Sequence, residues 1–241
     1  MTSKLSQKDI PRRERLILAL DVPTIEEAKQ LVEQLDDSVL FYKLGLELFM
    51  SGSYFELVAW LREKNKRVFC DLKFFDIPET VASAVRQLKD RGVDFATVHG
   101  NDTMLEAAAK EKNGLKILAV TVLTSLDRSD LEALGFQCNV EELVLARARK
   151  AIALGCDGVI SSGLEAAKLR QDLGDQFLIV SPGIRPVDNR PVDDQKRVVS
   201  PREAFLNGAD HIVVGRPIRE ASDPRQAAEA IQAEIAALFA K

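Results

Sequence analysis

The chain has 241 residues, 46% of them hydrophobic and 29% charged, with a net charge of −4. That is the composition of a globular protein with a sizeable core, and its negative charge excludes the broad basic field that nucleic acid requires. The densest basic stretches, 62–67 (REKNKR) and 147–150 (RARK), read as solvated helix ends or faces. Three cysteines without CxxC spacing fit reduced thiols in a cytoplasm better than disulfides or zinc. The first fifteen residues are polar and lack the apolar stretch of a signal peptide, and no apolar run reaches membrane-spanning length.

Short β-rich apolar runs alternate with amphipathic stretches along the chain. Strands are predicted at 15–21, 39–44, 67–73, 94–99, 116–122, 157–161, 177–181 and 211–215. Helices are predicted at 24–36, 53–65, 78–91, 103–112, 141–154, 164–173, 201–207 and 224–240. The first opens with TIEE, a capping-box pattern in which Thr24 and Glu27 satisfy free amides; Pro78 opens the third, where its missing N–H costs nothing. Eight strand–helix repeats predict an α/β fold, a (β/α)8 TIM barrel in one domain over 1–241, preceded by a polar extension at 1–13. An open doubly wound sheet is the runner-up, but no GxGxxG follows the first strand. Two connections are long. Residues 124–140 have room for a small helix near 129–134, and the polar 185–199 loop, after the seventh strand, reads as a lid.

Barrel active sites form at the C-terminal ends of the strands. Asp21, Lys43, Asp71 and Lys73 fall there on the first three strands, and Asp76 follows before a helix. Alternation along a strand puts Asp71 and Lys73 on one face, Cys70 and Leu72 on the other. Charges so placed must be paired, solvated or used in chemistry. SPGIRP (181–186) and VVGRPI (213–218) follow the seventh and eighth strands, where barrels frequently bind phosphate; glycine allows close backbone approach and arginine supplies a forked donor. His99 and His211 lie at opposite ends of the barrel. His99 reads as a polar group packed near the core, and two histidines argue against a His-rich metal site. Trp60 and the phenylalanines read as packing.

Asp71-Leu72-Lys73-x-x-Asp76-Ile77-Pro78 resembles the DxKxxDIP signature of the orotidine 5′-phosphate decarboxylase family. LALD (18–21), FYKLGLELF (41–49), VTVLTS (120–125), PGIRP (182–186), DDQKR (193–197) and VVGRPI (213–218) extend the resemblance over nearly the whole chain, in the pattern of the bacterial branch. The resemblance implies conversion of orotidine 5′-phosphate to UMP and carbon dioxide, without metal or cofactor. It implies that Lys73 is the proton donor to C6, flanked by Asp71 and Asp76, with Lys43 completing an alternating charged array. It implies a homodimer in which Asp76, Ile77 and Thr80 reach into the partner's site. Asp21 and Lys43 would contact the ribose, Thr124 the pyrimidine, and Arg185, Gln195, Gly215 and Arg216 the phosphate, with Gln195 on the lid. Ser125 lies in a loop that varies within the family and receives no role.

Two alternatives compete. Related barrels that act on sugar-acid phosphates share the DxKxxD core but use magnesium and carry glutamate where this chain has Lys43, which would repel a cation. A non-catalytic nucleotide-binding barrel would not need the Asp71–Lys73–Asp76 set.

Overall fold

In the computed structural model, which describes residues 4–99, 101–186 and 197–240, eight parallel strands close into a barrel in sequence order. They are β1 (Leu16–Ala19), β2 (Phe41–Leu44), β3 (Arg67–Phe74), β4 (Phe95–Val98), β5 (Lys116–Val120), β6 (Gly158–Ile160), β7 (Leu178–Ser181) and β8 (His211–Val214). The helices are α1 (Ile25–Leu35), α2 (Leu46–Met50), α3 (Tyr54–Glu63), α4 (Pro78–Lys89), α5 (Asp102–Glu111) and α6 (Arg128–Ala133). They continue with α7 (Val140–Ala153), α8 (Ala166–Leu173), α9 (Pro201–Leu206), α10 (Arg216–Arg219) and α11 (Pro224–Leu238). All eight predicted strands and the small helix near 129–134 are present. Among the described residues, no helix is long and apolar enough to cross a membrane.

Alternation divides the core in two. Ile17, Ala19, Phe41, Phe69, Phe95, Leu118, Leu178, Val180 and Val213 fill the barrel interior. Leu16, Leu18, Tyr42, Cys70 and Ala96, from the opposite faces of the same strands, pack against the helices. Gly158 permits close strand packing: a Cβ there would lie 2.5 Å from the Leu178 carbonyl oxygen.

The N-terminal end of the barrel is sealed by polar chemistry. His211 packs edge-on against Phe41 and Phe95, and its Nδ1 lies 2.9 Å from the Glu14 carbonyl oxygen. Asp210, fully buried, receives Ser6 Oγ at 2.5 Å, Lys8 Nζ at 3.1 Å, Arg170 Nη2 at 2.6 Å and the Ile179 amide at 2.8 Å. These contacts bind the described part of the N-terminal extension to the closed end, away from the mouth.

Some local expectations need correction. Thr24 accepts the Glu27 amide at 3.2 Å, but the Glu27 carboxylate takes the Thr24 hydroxyl rather than a backbone amide, so this is half a capping box. Reciprocal boxes occur at Asp127/Asp130, Asn139/Glu142 and Ser200/Glu203. The 62–67 stretch is a solvated helix end only over 62–65: Lys66 is buried with its ammonium on the Asp36 and Val39 carbonyls, and Arg67 pairs with Asp94 and Glu14. In the second basic stretch, Arg147 is partly buried and donates to the Thr121 carbonyl.

Candidate active site

The open C-terminal end of the barrel contains a cavity of about 480 Å³. Asp21, Lys43, Asp71, Lys73, Thr124, Arg185, Gly215 and Arg216 all line it. Asp21 follows β1, Lys43 sits near the end of β2, and Asp71 and Lys73 lie on β3, on the inward face that Phe69 begins.

Carboxylate and ammonium alternate across the floor. Lys43 Nζ is 3.0 Å from Asp21 Oδ1 and 3.4 Å from Asp71 Oδ2, and Lys73 Nζ is 3.0 Å from Asp71 Oδ1. Burial alone would depress Lys43, but Asp71 and Asp21 outweigh it and hold its pKa above the usual lysine value. Burial likewise pushes Asp71 up, and Lys43, Lys73 and a hydrogen bond from Thr97 overcome this, so its carboxyl lies below the ordinary range. Gly45 makes room for the array, since a Cβ there would come within 3.1 Å of Asp21 Oδ1 and 3.3 Å of Lys43 Nζ.

In the same cavity, Pro182, Gly183 and Arg185 follow β7, and Gly215 and Arg216 follow β8. The two ends of the long loop meet here. Ile184 bridges Val199, the Arg185 amide donates to Val199 O at 3.0 Å, and the Val199 amide donates to Gly183 O at 3.2 Å. Gln195 and most of the expected lid lie outside the described residues. Arg197, just beyond, pairs with Glu165 at 2.6 Å and donates to the Val122 and Leu123 carbonyls, tying this loop to the one carrying Thr124.

Asp76, Ile77 and Thr80 are not brought into the cavity. They stand exposed at the rim, where Asp76 Oδ1 accepts the Ile77 amide at 2.6 Å. Among the described residues of one chain, Lys73 forms its ion pair with Asp71 and not with Asp76. At Lys73, three residues earlier, the backbone takes φ +49°. Asp76 and Thr80 edge a shallow depression that Lys73 also lines.

Sequence reasoning missed Thr97, Gly45 and Arg219 as neighbours of these groups, and Ser125, left without a role there, lines the cavity. Arg219 donates to the Asp21 carbonyl and lies one helical turn past Arg216, a spacing that could have found it. His99 is half-buried and edge-on to Phe75, its pKa lowered by burial and then by Arg147 and Lys73. Among the described residues, no three His, Cys, Asp or Glu side chains gather to hold a metal ion, and each carboxylate of the floor already faces an ammonium.

Fold and cavity together put the chain among the (β/α)8-barrel enzymes. More particularly, it belongs to the orotidine 5′-phosphate decarboxylase / HUMPS family, whose model matches residues 14–231. A protein of Methylococcus capsulatus (strain Bath) named orotidine 5′-phosphate decarboxylase is 65% identical over 240 residues, covering 100% of this chain and 99% of that one. A protein of that name from Xanthomonas axonopodis pv. citri is 55% identical over 227 residues, 93% of each chain. Among solved structures, orotidine 5′-phosphate decarboxylase from Lactobacillus acidophilus matches with TM-score 0.81 and 37% identity, covering 92% of this chain and 99% of that one.

Proposed function

We propose that this chain decarboxylates orotidine 5′-phosphate to UMP and carbon dioxide, the step that completes UMP synthesis. The observation that carries the reading is the Asp21–Lys43–Asp71–Lys73 array lining one cavity with the arginines and glycines that follow β7 and β8. Full-length relatives named for this activity support it.

In this reading Arg185, Gly215 and Arg216 hold the phosphate, together with Gln195, which lies outside the described residues. Asp21 and Lys43 hold the ribose hydroxyls and Thr124 the pyrimidine. The C6–carboxylate bond breaks, carbon dioxide departs, and the electron pair stays on C6. The Lys73 ammonium stabilises that charge as it forms, gives C6 its proton, and regains one from solvent. An oriented charge in a partly dehydrated site can supply the largest single share of catalysis. Phosphate contacts far from C6 supply binding energy for assembling the site.

The reaction needs no metal here: Asp21 and Asp71 are engaged by ammonium groups, and Lys43 would repel an approaching cation. The same chemistry disfavours magnesium-dependent action on sugar-acid phosphates. We place the enzyme in a reducing cytoplasm, which suits three unpaired thiols, and activity confined to a periplasmic or membrane fraction would contradict that. A homodimer completes the site. Asp76, Ile77 and Thr80 are exposed and do not line their own cavity, and Leu46, Phe49 and Met50 on α2, with Phe75 and Ile77 after β3, are exposed apolar side chains that a partner would cover. Full activity from a species sedimenting as one chain would refute the shared site.

The test of function is the loss of orotidine 5′-phosphate absorbance with purified protein, with and without EDTA. EDTA-insensitive conversion to UMP is expected. No conversion by the folded protein, or conversion abolished by EDTA, would overturn the reading.

A further inference from the structure

Strand β3 does not run evenly to its end. Its pairing with β4 joins Cys70 to Ala96 and next joins Phe74 to Val98, so Asp71, Leu72 and Lys73 together stand opposite the one residue Thr97. Extra residues on one strand form a bulge, which bends the strand and re-aims a side chain. At the end of this bulge Lys73 adopts φ +49°, in the left-handed region that L-residues other than glycine, asparagine and aspartate seldom enter. A backbone held there persists only where its surroundings enforce it.

The Thr97 hydroxyl lies against this turn. The Lys73 amide donates to Thr97 Oγ1 at 2.9 Å, and Thr97 Oγ1 donates its own hydrogen to Asp71 Oδ1, also at 2.9 Å. A hydroxyl has one hydrogen to give and lone pairs to receive, so both bonds form at once. Asp71 Oδ1 in turn meets Lys73 Nζ at 3.0 Å. A closed ring results, running from the Lys73 backbone through Thr97 and Asp71 to the Lys73 ammonium. Thr97 is fully buried and does not line the cavity.

We propose that Thr97 is a positioning residue for the decarboxylation: its hydroxyl fixes both the backbone turn that aims Lys73 and the carboxylate that the Lys73 ammonium meets. The proposal rests on the functional reading above. It assigns Thr97 no contact with substrate, so its effect belongs in the chemical step and not in affinity.

Thr97→Val keeps the branched shape and removes both bonds. It should lower kcat roughly 10- to 100-fold, the worth of one to two hydrogen bonds at tenfold per ~1.4 kcal/mol, with KM within about threefold. Thr97→Ser, which keeps the hydroxyl, should restore kcat to within about threefold of wild type. Hydrogen exchange at the Lys73 amide gives a readout independent of turnover, and Thr97→Val should speed it at least about tenfold. If the valine protein does not fold, Thr97→Cys replaces it, since a thiol of similar size is a poor donor and acceptor. A valine or cysteine variant with kcat within twofold of wild type, or a serine variant that falls as far, overturns the proposal. If wild-type protein leaves orotidine 5′-phosphate unchanged, the functional reading fails on its own. The positioning of Lys73 by Thr97 is then decided by amide exchange, where an unchanged rate refutes it.

Discussion

Asp71→Asn removes the one negative charge standing between two ammonium groups. With Asp71 oxygens 3.0 Å from Lys73 Nζ and 3.4 Å from Lys43 Nζ, each attraction is worth about 5 kcal/mol at an effective dielectric near 20. Much of this offsets the cost of burying Asp71, whose side chain is only 11% exposed. Breaking a buried pair by removing one partner costs roughly 3–5 kcal/mol, and the third-exposed Lys73 side chain favours the lower figure. For a chain of this size about 3 kcal/mol lowers Tm by roughly 6–12 °C. Lys43 retains Asp21, whereas Lys73 loses its partner and its aim, so kcat should fall by about 100-fold or more. The assays are thermal unfolding followed by circular dichroism, and turnover of saturating orotidine 5′-phosphate well below the variant's Tm. The pH dependence has a definite sign. Because the folded state holds the Asp71 carboxyl below its unfolded value, its stabilisation is complete above about pH 4 and lost as pH falls through the folded pKa. The Asn variant should therefore lose less stability than wild type below pH 4. A variant with unchanged Tm and kcat within tenfold of wild type would refute this account of the array.

Other outcomes follow from the same geometry. Arg216→Ala should raise KM for orotidine 5′-phosphate roughly 10- to 100-fold, the worth of a charge-assisted bond to phosphate, and an unchanged KM would remove Arg216 from the phosphate site. At the closed end, burial holds the His211 imidazole down at about 4, against 6.5 when unfolded. Protons then favour the unfolded chain as pH falls from 6.5 towards 4, so this residue should cost about 2 kcal/mol of stability between pH 7 and pH 5. Urea unfolding at the two pH values should show that slope in wild type and lose it in His211→Gln; equal slopes would show that His211 does not titrate in this way.

The barrel was legible because parallel strands covered by helices are nearly continuous apolar runs, and eight of them alternating with amphipathic stretches leave few other architectures. Helices α2 and α10, with five and four residues, are too short to show a 3.6-residue period and were not anticipated. Charged residues at strand ends identified Asp21, Lys43, Asp71 and Lys73, because burial of charge is costly enough to demand a reason. The same reasoning set Asp76 apart, in the loop before a helix, but not the bulge in β3, which has no glycine or proline to mark it. Thr97 was invisible for a related reason: threonine is an ordinary strand residue, and its role exists only once β4 lies against that bulge. Lys66 was misread because a lysine in a charged run gives no sign that carbonyl oxygens await it.

The central claim is that the Lys73 ammonium carries out the chemistry while other groups bind the substrate. Lys73→Ala tests it most directly, through turnover of orotidine 5′-phosphate and binding of UMP measured on the same folded preparation. Loss of a positioned proton donor predicts a fall in kcat of about 1,000-fold or more, with UMP affinity within about tenfold of wild type. A variant that retains turnover within tenfold, or one that loses UMP binding and turnover together, would contradict the claim.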